Sequence, residues 1–545
     1  MGIYLNPDNA SFEEALNSEY YVDKSMLISK ITPLLRTKQK YICITRPRRF
    51  GKSMAADMLV AYYSQGCDSA ELFENLKVAQ TTGYLKHLNK HNVIFMNMSE
   101  LPEMMDGTPP TYKDYIRRVK NNLMDDLLEA YPNCNFNAEM ALWDALKKIR
   151  QKHKGEKFIF VMDEWDFIFH QKFITEEDKE LYIKFLTSLL KGQTYVEGAY
   201  ITGILPISKY SSGSELNCFT EYTMATLAKF SEDFGFIESE VDDLYQQYMK
   251  NTPNALVTRE ELTEWYDGYF TSSGERLYNP RSVVLAFTNN QVADYWTSSG
   301  PYDEIFYYIK NNVDDVQDEI AQMIAGEPVR ANVKEYAAAG QEINTKDKIF
   351  SAMVVYGFLT TKDGCVSIPN RELMNKFVDM VNNEDSLGYV YRLAKESERM
   401  LAATKAGDLE TMREILEQAH NTETDMKGYN SEAELSAVIK LLYLAARDDY
   451  RIQREEKSGT GFVDYVLYPK TRLSDDCIII ELKVDSTAED AIEQIKSRHY
   501  TQEILGKLGE KPLYIGRILA VGVGYFKNDK AKKHDVKVEI LREKI

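Results

Sequence analysis

Apolar residues in the first half of the chain fall into short solid runs, separated by stretches with helical spacing. Residues 41–45, 93–98, 158–162 and 199–204 are almost wholly apolar or β-branched and predict strands buried on both faces. Residues 53–65, 112–130, 140–150 and 181–190 predict the helices between them, with apolar residues recurring every three or four positions. Strands and helices in alternation predict a parallel sheet with both faces covered.

From about residue 238 to 419 amphipathic helix dominates. The exception is a short apolar run at 357–360, a turn at Lys362-Asp363-Gly364, and a second run at 365–368. It reads either as the wing of a winged helix or as a small hairpin in a helical linker. After Gly428 the α/β pattern returns: a helix (431–447), strands at 450–455, 462–468 and 477–483, a helix (487–500) and a late strand (518–525). The expected division is 1–235, 236–425 and 426–545, with a helical middle between two unlike α/β units.

Composition narrows the function. The chain has 545 residues, 44% hydrophobic and 28% charged, with a net charge of -18. Each region can bury a core, and a basic coat for nucleic acid is excluded, so any such contact must be local. Six scattered cysteines form no C-x-x-C pair, which predicts neither a zinc knuckle nor a disulfide framework but a reducing compartment. The first residues have no basic and apolar leader pattern, and no apolar run is long enough to span a bilayer. A cytoplasmic protein without membrane contact is expected. No H-E-x-x-H occurs among the seven histidines, so zinc hydrolase chemistry has no support.

The first strand runs into Arg46-Pro47-Arg48-Arg49-Phe50-Gly51-Lys52-Ser53 and then a helix. Gly51, Lys52 and Ser53 fit the end of G-x-x-x-x-G-K-[ST], while Arg46 replaces the first glycine. Backbone N–H groups at a helix start face an anion. Lys52 can reach the β- and γ-phosphates and the Ser53 hydroxyl can ligate Mg²⁺, while Arg48 and Arg49 add positive charge. The third strand ends in Asp163-Glu164. Asp163 is the expected Mg²⁺ partner and Glu164 the expected general base for an attacking water. Thr202, at the end of the next strand, is either a γ-phosphate sensor or a structural threonine.

The C-terminal region holds a second constellation. Glu481 and Lys483 are two apart on a strand preceded by three isoleucines, so they share a face. The 469–476 loop is long enough for a hairpin that sets Asp464 beside Glu481. Two carboxylates and an amine suit a divalent ion, a bound water and a scissile phosphate, with Lys483 steadying the phosphate or orienting the water. Gln494 and Glu434 lie on flanking helices. Residues 493–545 hold 12 Lys/Arg against 7 Asp/Glu, which reads either as a phosphate-tracking tail or as a solvated face.

Tyr20-Tyr21-Val22-Asp23-Lys24-Ser25, the Arg46–Ser53 loop, Met162-Asp163-Glu164 and Thr202-Gly203-Ile204 together resemble the bacterial AAA-ATPase-like family that carries a C-terminal PD-(D/E)XK nuclease domain. Trp265-Tyr266-Asp267-Gly268-Tyr269 and Leu277-Tyr278-Asn279-Pro280-Arg281-Ser282 resemble its mid-chain signatures, so the likeness runs from about residue 3 to 500. The resemblance accounts for the missing first glycine. In the nuclease motif set it matches Glu434 to the helix acid, Asp464 to the acid after Gly461, Glu481 and Lys483 to E-x-K, and Gln494 with Tyr500 to the Q…Y helix. Pro206 departs from the pattern, since a basic residue is expected there, and no sensor arginine is read at that position. The resemblance implies a P-loop ATPase domain, a helical middle and a restriction-endonuclease-like α/β domain. It also implies ATP and Mg²⁺, Mg²⁺ or Mn²⁺ at the nuclease site, and nucleic acid, DNA first, as partner; a homo-oligomer is left open. The rival reading is a slow nucleotide switch whose C-terminal domain binds nucleic acid or a protein without cutting.

Overall fold

The computed structural model describes residues 2–103, 109–210, 215–224, 227–297, 309, 313–333, 345–383, 389–421, 432–454, 464–470, 475–497, 515–527 and 533–544. They form two compact units, one of residues 1–308 and 330–373, the other of residues 309–329 and 374–545. The helical middle is thus shared between the two units. All six cysteines are free thiols, and among the described residues no helix is long and apolar enough to cross a membrane.

In the first unit the four solid apolar runs become four strands of a five-stranded parallel sheet. Its strands are β1 (Tyr41–Thr45), β2 (Asn92–Asn97), β3 (Phe158–Asp163), β4 (Val196–Gly203) and β5 (Thr220–Tyr222). Their spatial order is β2-β3-β4-β1-β5, and every pairing is parallel. β1, β3 and β4 are buried along their whole length. That burial is why they read as unbroken apolar runs rather than alternating ones. Helices α1 (Lys52–Tyr63), α2 (Tyr112–Ala130), α3 (Leu142–Lys152) and α4 (Glu176–Leu190) cover the sheet, with one buried cluster on each face. Because β4 lies between β1 and β3, the register aligns Ile44 with Thr202 and Met162 with Ile201. The phosphate loop, Thr202 and the Asp163–Glu164 pair therefore emerge at one edge, the carboxyl end of the strands, where open α/β sheets bind ligands.

The expected hairpin is present as Thr360–Lys362 against Cys365–Ser367. It begins later than the apolar run at 357 because Gly357, in the left-handed region (φ 87), caps the preceding helix instead of opening the strand.

The second unit holds a mixed sheet of β6 (Tyr450–Arg454), β7 (Tyr465–Pro469), β8 (Cys477–Val484), β9 (Ile518–Tyr525) and β10 (His534–Arg542), paired in that order. Only β8 and β9 pair in parallel. Flanking helices are α5 (Glu432–Leu442) and α6 (Ala488–Ser497). β10 is a strand of the stretch that the sequence presents as a basic tail. Gly461, Phe462, Val463 and Tyr500 lie outside the described residues.

Candidate functional site

The phosphate loop is braced from behind. Arg46 is 1% exposed, and its guanidinium donates to the carbonyls of Thr45 (2.8 Å), Tyr222 (2.8 Å) and Phe230 (3.0 Å). It ties β1 to β5 and is not among the loop's open cations, whatever its place in the motif. Gly51 caps α1 with φ 86, a conformation that side chains resist. Lys52, nearly buried, donates to the carbonyls of Arg46 (3.1 Å) and Pro47 (3.0 Å). Burial lowers its pKa, and the charges of Asp163, Asp166 and Glu164 oppose that shift. Arg48 is half-buried and Arg49 exposed. Phe50 packs edge-on to Tyr269, ring centroids 5.0 Å apart, and anchors the loop by its side chain.

Facing Lys52, Asp163 is 3% exposed. Its Oδ1 and the Thr202 hydroxyl are buried without a hydrogen-bond partner. The Ser53 hydroxyl bonds Asp163, whose pKa is raised, burial being the larger cause. Orphaned buried oxygens call for an explanation, and a cation held between them is one. The pair Ser53 and Asp163 fits Mg²⁺, which needs only one or two protein oxygens beside phosphates and water. Glu164 turns out of the strand with φ 51, a strained value for a glutamate. Burial and then Asp163 raise its pKa.

Three features escaped the motif reading. Asp166 accepts the N–H groups of Ile204 (3.0 Å) and Leu205 (2.6 Å) and fixes the end of β4 to the end of β3. A cavity of about 330 Å³ opens beside Gly51. Tyr21, Val22, Met58, Val284 and Leu285 line it, with Arg49 and Arg281 also on its wall. The helix bearing Val284, Pro280–Asn289, is held by a buried carboxylate. Glu372 accepts from the Ser282 hydroxyl (2.8 Å) and from the N–H groups of Trp296 and Thr297, while the Trp296 indole donates to the Arg48 carbonyl at 3.0 Å.

Burial lifts Glu372 from an ordinary 4.5 to about 7. The folded form therefore holds a proton that the unfolded chain releases, so stability from this group is full below about 4.5 and falls as pH rises toward 7. Urea unfolding should lose up to about 3 kcal/mol across that window, and Glu372→Gln should flatten the loss. An unchanged pH slope in the variant would exclude Glu372 as its source.

In the second unit the register sets Tyr465 against Ile480, which brings Asp464 beside Glu481. Asp464 accepts the Leu482 N–H at 2.7 Å. Glu481 is 2% exposed. Its Oε1 takes Lys483 Nζ at 3.0 Å and also the Gln494 amide, while Oε2 is buried without a partner. Burial first, then the Asp464 charge, lifts Glu481 to about 7. Gln494 reaches this face because β9 has glycine opposite Glu481: a Cβ on Gly522 would stand 2.3 Å from the Ala488 carbonyl, so α6 can pack this close only over glycine.

Four of the five expected groups are thus together. The fifth, Glu434, lies on α5, and its side chain is outside the described residues. No group of three or more His, Cys, Asp or Glu among the described residues is arranged around a metal position. Two carboxylates with one open buried oxygen still fit Mg²⁺, which keeps most of its waters.

These two sites define the class: a P-loop ATPase fold joined through a helical middle to a nuclease-like α/β domain. A family model for a predicted AAA-ATPase matches residues 10–212, and one for the PD-(D/E)XK nuclease superfamily matches residues 430–520. The two matches fall on the parallel-sheet region and on the C-terminal mixed-sheet region respectively. A curated relative, the uncharacterized protein in the vnfD 5' region of Azotobacter chroococcum mcd 1, is 26% identical over 287 residues, covering 52% of this chain and 51% of the relative. The chain spans about half the length of that relative. Among solved structures it is similar to the Walker-type ATPase of Pyrococcus abyssi (12% identity, TM-score 0.34, 65% of this chain and 94% of that one). It is also similar to the ORC2 protein of Aeropyrum pernix (10% identity, TM-score 0.33, 68% and 96%).

Proposed function

We propose that this protein binds and hydrolyses ATP and that its C-terminal domain is a metal-dependent phosphodiesterase acting on nucleic acid, DNA first. The observation that carries the reading is the meeting of Lys483 and Gln494 on Glu481 Oε1, with Glu481 Oε2 buried without a partner and Asp464 next door on the Leu482 N–H. A surface hairpin has no reason to bury a glutamate whose pKa stands near 7. Mg²⁺ or Mn²⁺ held by Asp464 and Glu481 would supply charge neutralisation and an activated water. Gln494 fixes the Glu481 rotamer, and Lys483 is the group with freedom to meet a phosphate.

In the ATPase domain, Lys52, Ser53 and Asp163 hold the phosphates and Mg²⁺, Glu164 takes the proton of the attacking water, and Thr202 senses the γ-phosphate. The cavity beside Gly51 receives the nucleoside: its size falls within the range of small-molecule sites and its walls are largely apolar. Six free thiols fit a reducing cytoplasm.

The direct test is incubation of the full chain with single- and double-stranded DNA and RNA, with and without ATP, Mg²⁺ and Mn²⁺. Divalent-dependent cleavage is expected, and its absence on every substrate would leave a binding module. ATP state should also shift nucleic-acid affinity by about 5–150-fold, the usual range of coupling between two sites. Equal affinity with ADP, a non-hydrolysable analogue and no nucleotide would break that link.

A further inference from the structure

The edge of the parallel sheet opposite the phosphate loop is basic in an acidic chain. Every connection into β1–β4 arrives there. Arg36, Lys38 and Lys40 precede β1, and Lys86 and Lys90 precede β2. Six Lys/Arg between 147 and 157 precede β3, and Lys191 precedes β4. Residues 36–40, 84–91, 145–157 and 190–195 together hold 12 Lys/Arg and one acid, Glu156, while the whole chain carries -18.

These connections form one surface. Arg150 Nε donates to Thr194 Oγ1 at 3.1 Å and Lys40 Nζ to the Val196 carbonyl at 2.6 Å. Arg36 and His91, from different connections, both bond Glu197 Oε1, at 2.6 and 3.1 Å. Burial and then the charges of Lys157, Lys38 and Arg150 hold the Lys40 ammonium below its usual pKa.

A helix dipole favours cations in its last turn, which accounts for Arg150 and Lys152 at the end of α3. It does not account for Lys38, Lys90 and Lys154, which are exposed, lie outside helices and pair with no acid among the described residues. Like charges gathered on one edge repel one another, and a polyanion relieves that. Four strands at the usual spacing span about 15 Å, the reach of about four phosphates along one strand of a duplex. Among the described residues of these connections no Phe, Tyr or Trp is exposed to stack on an unpaired base, the one exposed ring being the His153 imidazole, which favours a duplex over a single strand.

We propose that this edge is a sequence-independent contact for the phosphate backbone of duplex nucleic acid, separate from the nucleotide site and from the C-terminal carboxylates. The test is fluorescence polarisation of the full chain with a labelled 30-base-pair duplex over a salt series, in EDTA to block cleavage. The triple variant Lys38→Glu, Lys90→Glu, Lys154→Glu should bind at least tenfold more weakly at low salt. Its log K against log salt slope should fall by about 2–3, close to 0.9 per lost phosphate contact. The triple Gln variant should move the same way by less, and nucleotide affinity should hold in both. Unchanged duplex affinity and slope would overturn the proposal, as would a loss confined to single strands or to anionic vesicles. A wild-type protein that binds through this edge but never cuts sinks the phosphodiesterase reading and leaves this one. A protein that cuts, with a salt slope untouched in the variant, does the reverse.

Discussion

Lys483→Ala should lower phosphodiester cleavage about 10²–10³-fold while leaving the fold and divalent-ion affinity in place, the usual loss for one charge-stabilising donor. The geometry makes this a clean deletion. Lys483 Nζ lies 3.0 Å from Glu481 Oε1 with its side chain 21% exposed, whereas Glu481 is nearly sealed. Removing the lysine leaves Gln494 on the same oxygen, so Glu481 is not stranded. Asp464→Asn makes the complementary change. The amide oxygen still accepts the Leu482 N–H, which Asp464→Ala would leave bare, but one of the two negative charges is gone. Ion binding by calorimetry and cleavage should fall together in Asp464→Asn, and cleavage alone in Lys483→Ala. Cleavage at the wild-type rate in Lys483→Ala would remove the lysine from the chemistry. Ion binding retained in Asp464→Asn would remove the aspartate from the ligand set.

Both constellations could be read from the sequence because each follows directly on an unbroken apolar run in a buried strand. Such a run has no room for polar residues, so carboxylates that follow it stand out, as Asp163-Glu164 do after Phe158–Met162 and Glu481 does after three isoleucines. What escaped lacked that contrast. β5 is three residues long and only half-buried, too short for a pattern. β10, His534–Arg542, alternates buried Val536 with charged neighbours on a sheet edge, so its charges read as a tail while its pairing with β9 was invisible. Arg46 reads in sequence only as the residue in place of the motif's first glycine, and its bracing role stays hidden because its carbonyl partners Tyr222 and Phe230 lie more than 170 positions away. The cavity beside Gly51 is a similar case, since nothing local to Tyr21 says that Val284 will face it. Asp166 spends its carboxylate on backbone N–H groups, a role that leaves no pattern in sequence.

Glu164→Gln is expected to abolish most ATP turnover, by about 10²–10⁴-fold, while nucleotide affinity stays at the wild-type level. The two side chains match in size, and the strained φ of 51 is paid equally by both, so the comparison isolates the proton acceptor. Asp163, Ser53 and Lys52 keep their places, since the Lys52 bonds to the loop carbonyls and the Ser53–Asp163 bond do not run through the Glu164 carboxylate. The raised pKa of Glu164 adds a second signature. Wild-type turnover should climb with pH as the carboxylate form fills, because a base must be unprotonated to act, and that limb should vanish in the glutamine variant. Phosphate release measured against binding of a fluorescent ATP analogue separates the outcomes. Turnover at the wild-type rate would show that another group takes the proton. Loss of binding together with turnover would make Glu164 a structural support of the strand end, in line with the N–H that Trp165 donates to the Thr202 carbonyl at 3.0 Å next door.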